Sequence, residues 1–275
     1  MALASHQVPP GGFAPALVER ILDDALASPG HPPVYAITGV QGSGKSTLAA
    51  QLARAGRERG LRVAVLSIDD FYLGRRERNA LGRRVHPLLA TRGPPGTHDV
   101  ALACRSLDAL RRLEAGDSVT LPRFDKAGDR RLPPSRWPRI GTRPDLIVFE
   151  GWFLKVPPEP ESALRVPLNA LERENDPDGI WRRYCNQALA LYAPLWQRLD
   201  RLLWLRAPGF EVVPRWRGQA EAALRATQPG RRAMTPAQIG RFVQLFERVS
   251  RQAERSLPAI ADETLLLDAE RRPQL

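Results

Sequence analysis

The sequence predicts an α/β protein with a doubly wound parallel sheet, flanked by helices and covered by a helical lid. Three observations predict this fold. The apolar run at 34–38 passes through a glycine-rich turn into a helix-forming segment at 48–54. Two further apolar runs, at 61–68 and 145–151, are typical of strands buried on both faces of a parallel sheet. Strands and helices then alternate through the rest of the chain, as they do in βαβ units.

The turn after the first strand carries the residues of a phosphate-binding loop. Residues 39–47 read GVQGSGKST and fit the pattern G-x-x-x-x-G-K-[ST]. Glycines let successive backbone N–H groups face one anion, and the helix N-terminus adds partial positive charge. The alternative is a turn that only begins a helix, but the chain has only three lysines, Lys45, Lys126 and Lys155, and one of them falls in this position. The sequence therefore predicts a P-loop NTPase fold.

Each side chain of this pattern has a role in holding phosphate. Lys45 is expected to reach the β- and γ-phosphates, and the Ser46 hydroxyl is expected to ligate Mg²⁺. The residues predicted to bind the nucleotide are Gly39, Gln41, Gly42, Ser43, Gly44, Lys45, Ser46 and Thr47.

Acidic residues follow the second strand and end the third. Asp69 and Asp70 come directly after the run at 61–68, and Glu150 lies near the end of the run at 145–151. Because ligands bind at the carboxyl ends of the strands in an open α/β sheet, we expect these acids to face the bound phosphates. Glu150 can then hold a water of the Mg²⁺ shell. The alternative for the two aspartates is the capping of a helix or turn.

Composition narrows the class of protein. The 275 residues are 43% apolar and 26% charged, which is typical of a globular protein, and no apolar run is long enough to span a bilayer. The net charge of +11 comes from arginines spread along the chain, so it indicates attraction for phosphorylated substrates rather than binding to nucleic acid. Cys104 and Cys185 have no Cys or His at metal-ligand spacing and are expected to be reduced thiols of a cytoplasmic protein.

The first 30 residues are predicted to form an N-terminal helical extension of a nucleotide-binding domain at 31–275. Apolar residues at helical spacing within 14–27 predict an amphipathic helix that packs on the domain. The segment lacks the basic head and apolar core of a signal peptide and is too acidic for a transit peptide. These features also favour a cytoplasmic protein.

The other elements are predicted from periodicity and from the positions of proline and glycine. Residues 74–96 are rich in Arg, Gly and Pro and predict a long loop, and 156–178 predict an irregular surface segment. Pro194 is expected to interrupt a helix at 180–199. Further helices are predicted at 100–115, where Thr97 or Asp99 can be the cap, at 211–226 and at 235–256, and further strands at 118–122, 201–206 and 264–268.

Six segments in this order resemble one known family. They are the glycine loop, SIDDFYL at 67–73, GTHD at 96–99, PRFDK at 122–126, FEGW at 149–152 and RWRGQAE at 215–221. Together they look like the D-glycerate 3-kinase family, a branch of the P-loop kinases that includes uridine kinase, phosphoribulokinase and bacterial pantothenate kinase. The resemblance runs from about residue 34 to near the C-terminus. The glycine loop, DDFY and FEG are typical of the wider group, whereas GTHD, EGW and RWR point to the glycerate branch.

The resemblance implies ATP-dependent phosphorylation of a hydroxyl on a small anionic metabolite, with D-glycerate as the first candidate. The catalytic residues it implies are Lys45, Asp69 as the base, and Arg215 and Arg217 as clamps on the transferred group. Mg²⁺ is expected at Ser46, Asp69 and Glu150. The acceptor pocket is expected to contain Asp70, Tyr72, His98, Asp99, Asp125, Lys126 and Arg130.

Two alternatives remain at this point. A nucleoside or pantothenate kinase shares the loop and the carboxylates, and a nucleoside pocket would need aromatic stacking near Tyr72 or Phe124. A P-loop switch or nucleic-acid-dependent ATPase is the alternative of another class, although no motif demands it. The partners expected are a small-molecule substrate, no nucleic acid and no membrane, in a monomer or a homodimer.

Overall fold

The computed structural model describes residues 12–227 and 234–274. Residues 1–11 of the predicted extension therefore lie outside the described residues. The strands of the described part are β1 (Val34–Gly39), β2 (Val63–Ser67), β3 (Val119–Thr120), β4 (Phe124–Asp125), β5 (Arg130–Arg131), β6 (Arg139–Ile140), β7 (Leu146–Gly151), β8 (Arg201–Arg206), β9 (Glu263–Leu267) and β10 (Pro273–Gln274).

Helices alternate with the strands of the main sheet. The α-helices of the described part are α1 (Pro15–Leu26), α2 (Lys45–Glu58), α3 (Arg75–Arg84), α4 (Val100–Arg112), α5 (Ala170–Asn175), α6 (Ile180–Ala190), α7 (Ala193–Trp196), α8 (Val213–Thr227) and α9 (Pro236–Ser256). Short 3₁₀ helices cover Ile68–Phe71, Pro87–Ala90, Pro134–Arg136, Glu161–Leu164, Phe210–Val212 and Leu257–Ala259. No helix of the described residues is both long and apolar enough to cross a membrane.

The main sheet has six strands in the order β10-β9-β8-β1-β7-β2. All neighbours are parallel except β10, which runs antiparallel to β9. In the register of the three strands at one side, Thr38 pairs with Gly151, and Ser67 pairs with Glu150. The carboxyl ends of β1, β7 and β2 therefore meet at one edge of the sheet, as the predicted α/β fold requires.

Side chains alternate between the two faces of the sheet and enter two hydrophobic clusters. Val34 and Ala36 of β1 join the cluster that includes α4 and α6, whereas Tyr35 and Ile37 join the cluster that includes α1, α2 and α8. α1 thus packs on the nucleotide-binding half of the molecule, with Ile21 fully buried. The domain boundary at residue 30 stays a prediction.

Most predicted elements are confirmed. The strands expected at 34–38, 61–68, 145–151, 201–206 and 264–268 correspond to β1, β2, β7, β8 and β9. The final helix begins at Pro236 with Thr235 as its cap, because the Thr235 hydroxyl accepts the Gln238 N–H. The break at Pro194 is also confirmed, since α6 ends at Ala190 and α7 begins at Ala193.

Two irregular segments were predicted wrongly. Residues 74–96 contain α3. The amphipathic pattern of this helix is not visible in the sequence because one of its buried residues is an arginine, Arg78. Residues 156–178 contain α5, where Glu172 is buried because Arg248 of α9 donates to both of its carboxylate oxygens, at 2.8 and 2.6 Å. In a sequence, charged residues that are buried as ion pairs cannot be distinguished from surface residues.

Replacement of Ile21 by alanine tests whether α1 belongs to the folded core. We expect Ile21→Ala to lower the free energy of unfolding by about 2 to 4 kcal/mol, because a fully buried side chain leaves a cavity. The measurement is urea unfolding followed by far-UV circular dichroism. The exposed neighbour Ala16 provides a control, Ala16→Ser, with little change. A loss for Ile21→Ala as small as that of the control would contradict the packing described for α1.

Candidate active site

The glycine loop has backbone positions that only glycine can occupy. Gly42 and Gly44 have φ values of +82° and +96°. A Cβ on Gly42 would lie 2.7 Å from the Cβ of Trp216, which is closer than any carbon pair can pack. α2 begins directly after Gly44, so its unpaired N–H groups open onto the loop. The loop therefore presents an anion cradle at the carboxyl end of β1.

Some buried polar atoms in the loop have no hydrogen-bond partner. Among the described residues, the side-chain atoms Ser43 Oγ, Gln41 Nε2 and Gln41 Oε1 are buried and make no hydrogen bond. Lys45 is only 8% exposed, and its Nζ donates to the Val40 carbonyl at 3.0 Å. Burial lowers the pKa of Lys45, while the Glu150 and Asp69 carboxylates oppose that shift. Such orphaned donors beside a lysine fit a bound phosphate chain.

Ser46 and Glu150 form the oxygen pair that fits a magnesium ion. The Ser46 hydroxyl donates to Glu150 Oε1 at 3.0 Å. Burial raises the pKa of Glu150, and Asp69 adds to the rise while Lys45 opposes it. A hydroxyl and a carboxylate are hard oxygen ligands, and Mg²⁺ in kinases binds to one or two such groups together with phosphate oxygens. The donor set thus matches the metal expected from the sequence.

Asp69 faces the same cavity from the end of β2. It lies in the 3₁₀ helix Ile68–Phe71, and its carboxylate accepts two hydrogen bonds, from Tyr72 Oη at 2.8 Å and from Lys126 Nζ at 2.7 Å. Burial raises the pKa of Asp69, but the Lys126 ammonium and these hydrogen bonds outweigh it, so the pKa lies below the ordinary value. Asp69 is therefore ionised at neutral pH and can accept a proton.

Asp70 points away from Asp69 and ties two segments together. Its carboxylate accepts from Arg123 Nη1 at 3.0 Å, from the Phe124 N–H at 3.3 Å and from the Ser67 N–H at 3.4 Å. Burial raises the pKa of Asp70, and Arg123 opposes the shift. These hydrogen bonds join β2 to the segment at 122–124, and the role of Asp70 in substrate binding stays a prediction.

Lys45, Ser46, Asp69 and Glu150 line one cavity of about 360 Å³, whereas Asp70 does not line it. That volume lies at the lower end of the range for small-molecule sites. The predicted site residues that line this cavity are Gln41, Gly42, Lys45, Ser46, Asp69, Tyr72, Lys126, Glu150 and Arg217. The cavity wall also contains Arg92, Gly151, Trp152, Phe242 and Phe246.

The two arginines of α8 differ in position. Arg217 lies on the cavity wall, where its Nη2 donates to Glu221 at 3.1 Å. Arg215 is turned to the hairpin between β9 and β10, where it pairs with Glu270 at 3.3 Å and donates to the Ala269 carbonyl. Arg215 therefore holds α8 to this hairpin and does not line the cavity, in contrast to the clamp that the sequence predicts.

His98 lies behind the cavity in a buried aromatic cluster. Its ring stacks on Tyr72 with centroids 4.6 Å apart, and its Nδ1 lies 2.7 Å from the Tyr192 hydroxyl. Burial lowers the pKa of His98 to about 4, although Asp69 opposes the shift. The neutral ring supports Tyr72, which in turn donates to Asp69. His98 thus contacts Tyr72 and Tyr192 and does not line the cavity, and its predicted contact with the substrate stays a prediction.

The remaining predicted pocket residues have local structural partners. Asp99 is the N-cap of α4 and accepts the Leu102 N–H at 2.9 Å. Asp125 accepts the N–H groups of Ala127 and Gly128 at 3.0 and 2.9 Å and so shapes a turn. Arg130 is 67% exposed and lies 3.7 Å from Asp125. None of these three predicted residues lines the cavity described above.

Several cavity residues were not predicted. Arg92 lies in the segment predicted as a loop, and no local pattern marks it among the many arginines of the chain. Phe242 and Phe246 repeat at helical spacing in α9, which indicates a core face and not a site. Only the packing of α9 across the sheet edge brings these rings to the cavity.

Comparisons with known proteins agree with this geometry. The chain is 34% identical over 221 residues to "Uncharacterized kinase mug58" of Schizosaccharomyces pombe, an alignment that covers 76% of this chain and 78% of that protein. It is 32% identical over 225 residues to "D-glycerate 3-kinase, chloroplastic" of Arabidopsis thaliana, covering 78% of this chain and 46% of that longer protein. The chain belongs to this P-loop kinase family. It is an ATP-dependent kinase with a small-molecule substrate.

Solved structures share the fold. The D-glycerate 3-kinase of Cryptococcus neoformans superposes with a TM-score of 0.74 at 24% identity, covering 94% of this chain and 95% of that chain. The YGR205w protein gives a TM-score of 0.69 at 26% identity, covering 94% and 93%. A family model described as "Methylmalonyl Co-A mutase-associated GTPase MeaB" matches residues 13–73 alone. This last match covers α1, the glycine loop and β2.

The buried His98 predicts a pH-dependent stability. An unfolded histidine binds a proton below pH 6.5, whereas folded His98 binds one only below about pH 4, so this group stabilises the kinase above pH 6.5 and that contribution is lost as the pH falls. We expect wild type to lose about 2 kcal/mol more than His98→Gln between pH 7 and pH 5. Urea unfolding of both proteins at the two pH values measures the difference. Parallel losses would show that His98 titrates normally in the folded state.

Proposed function

We propose that this kinase transfers the γ-phosphate of ATP to a hydroxyl of D-glycerate. The observation that carries the proposal is the single cavity in which an ionised carboxylate, Asp69, faces the lysine and serine of the glycine loop. Two relatives that carry the name D-glycerate 3-kinase support the choice of acceptor.

Phosphoryl transfer depends on positioning and on the neutralisation of charge. In the proposed reaction, the backbone N–H groups of the glycine loop and the Lys45 ammonium hold the phosphate oxygens. Mg²⁺, held by Ser46 and Glu150, would neutralise charge on the β- and γ-phosphates. Arg217 lines the same cavity, where its positive charge can stabilise the transferred group.

Asp69 is proposed as the general base. As the acceptor oxygen forms its bond to the γ-phosphorus, the bond from phosphorus to the leaving oxygen of ADP breaks, and the hydroxyl proton passes to Asp69. The hydrogen bonds from Tyr72 and Lys126 fix the carboxylate and keep its pKa low. The base is therefore present in its ionised form before the acceptor arrives.

Two aromatic contacts favour a small acceptor over a nucleoside. The Tyr72 ring stacks on His98 and meets the Phe124 ring edge-on, with centroids 4.6 and 5.2 Å apart. The Phe124 ring is also approached by two guanidinium groups, those of Arg78 and Arg92. The two rings that could stack on a nucleobase are thus engaged by protein groups.

The test is acceptor-dependent release of ADP by the purified kinase with Mg²⁺ and ATP. The acceptors are D-glycerate, L-glycerate, uridine and pantothenate, with a sample that has no acceptor. We expect D-glycerate to give the largest rate. Asp69→Asn is expected to lower kcat by about 10² to 10⁴ with the affinity for ATP unchanged, because only proton transfer is lost.

The matched control is Lys45→Ala, which should weaken ATP binding as well as turnover, since its ammonium is proposed to hold phosphate. Release of ADP with uridine or pantothenate but not with D-glycerate would show that D-glycerate is not the acceptor and would favour a nucleoside or pantothenate kinase. Normal turnover by Asp69→Asn would remove Asp69 from the role of base.

A further inference from the structure

Arg92 lies on the cavity wall without a role in the phosphate chemistry described above. It follows the 3₁₀ helix Pro87–Ala90, and its side chain is 29% exposed. The next residue, Gly93, has a φ of +124°, and a Cβ there would lie 2.6 Å from the Phe246 ring. The backbone is thus pressed against α9 at this point, which fixes the direction in which Arg92 enters the cavity.

One carboxylate is shared by two arginines next to the cavity. Asp129 accepts from Arg78 through both of its oxygens, Oδ1 from Nη1 at 3.1 Å and Oδ2 from Nη2 at 2.7 Å. Arg92 Nη1 donates to the same Oδ1 at 2.7 Å. Arg78 is fully buried and therefore needs the carboxylate as its counter-ion. The three groups carry one positive charge in excess, and Arg92 is the member that lines the cavity.

Most of the Arg92 guanidinium remains available to a ligand. Within residues 12–227 and 234–274, its only hydrogen bond is the one from Nη1 to Asp129. Its Cζ lies 5.7 Å from the centroid of the Phe124 ring, which supports the guanidinium plane. A planar guanidinium with free N–H groups matches the two oxygens of a carboxylate.

The two cations of the acceptor pocket predicted from the sequence, Lys126 and Arg130, have other positions. Lys126 Nζ donates to Asp69 at 2.7 Å and so belongs to the proposed base. Arg130 is 67% exposed beside Asp125 and lies off the cavity wall. Of the cations that line the cavity, Lys45 belongs to the glycine loop, Lys126 bonds to the proposed base, and Arg217 is proposed to stabilise the transferred group, so Arg92 is left for the acceptor.

Arg92 is also near the reacting end of the site. Burial raises the pKa of Tyr72, and the Arg92 charge opposes the shift, as expected for neighbouring groups. Tyr72 itself donates to Asp69. Arg92, Tyr72 and Asp69 line the same cavity, so one small acceptor can contact both the guanidinium and the proposed base.

We propose that Arg92 binds the carboxylate of the acceptor, so that this site selects small hydroxy acids over neutral alcohols of the same shape. The inference rests on the proposed function. Asp129 acts as a positioning residue, which holds Arg92 through Nη1 and is itself held by Arg78.

The test compares one acid with its uncharged analogue. Release of ADP is measured for wild type and Arg92→Gln with D-glycerate and with D-glyceramide, in which an amide replaces the carboxylate. We expect Arg92→Gln to lower kcat/KM for D-glycerate by about 10² to 10³ and to change that for D-glyceramide less than about threefold. The KM for ATP should not change. Asp129 keeps its paired contacts with Arg78 in this variant, so no carboxylate is left unpaired.

Two further variants separate charge from fold. Arg92→Lys keeps the positive charge but loses the paired N–H groups of the planar guanidinium. It should therefore have more activity on D-glycerate than Arg92→Gln but less than wild type. Arg76→Gln removes an exposed arginine of the same helix as Arg78 and should match wild type on both acceptors.

The outcomes distinguish the two proposals. No release of ADP by wild type with either acceptor would overturn the proposed function and this inference with it. Wild type that uses both acceptors equally, or Arg92→Gln that loses the same factor on both, would overturn the role of Arg92 alone and leave the kinase reaction in place. A collapse of the preference for the acid in Arg92→Gln supports the inference.

Discussion

The register in which β1, β7 and β2 pair determines the nucleotide half of the candidate site. Because Ser67 lies opposite Glu150 and Thr38 lies opposite Gly151, the turn that carries Asp69 and the glycine loop are adjacent to the Glu150 carboxylate. Side chains alternate between the faces of a strand, so a slip of one residue would turn Glu150 away from Ser46. The hydrophobic side chains of these strands fix the register, so the packing of the core determines where these site residues lie.

Charge is distributed unequally within the cavity. Glu150 has a raised pKa because it is buried beside Asp69, whereas Asp69 has a lowered pKa because Lys126 and Tyr72 bond to it. The two carboxylates are thus suited to different proposed tasks, metal binding and proton acceptance. The Arg78, Arg92 and Asp129 cluster carries one positive charge in excess. The proposed binding of the acceptor carboxylate by Arg92 would be one local use of the arginine-rich composition.

The sequence predicted the parallel sheet and the nucleotide half of the site because both depend on short, contiguous patterns. A strand, a glycine loop and a helix follow one another between residues 34 and 58, and Asp69 and Glu150 lie at strand ends. The acceptor half was predicted poorly because its residues come from distant segments. His98, Asp99 and Asp125 have the residue types of a polar pocket but serve as a buried support, a helix cap and a turn. Arg92 reaches the cavity only through the fold, and α3 and α5 were missed because their buried residues include charged ones.

The dependence of kcat on pH in Lys126→Met tests the central claim most directly. In this account the Lys126 ammonium offsets the effect of burial and keeps Asp69 ionised. Removal of that charge should raise the pKa of Asp69, so the acidic limb of the profile with D-glycerate should move to higher pH than in wild type. An acidic limb at the same pH in both proteins would contradict the account, because the ionisation of the base would then not depend on Lys126.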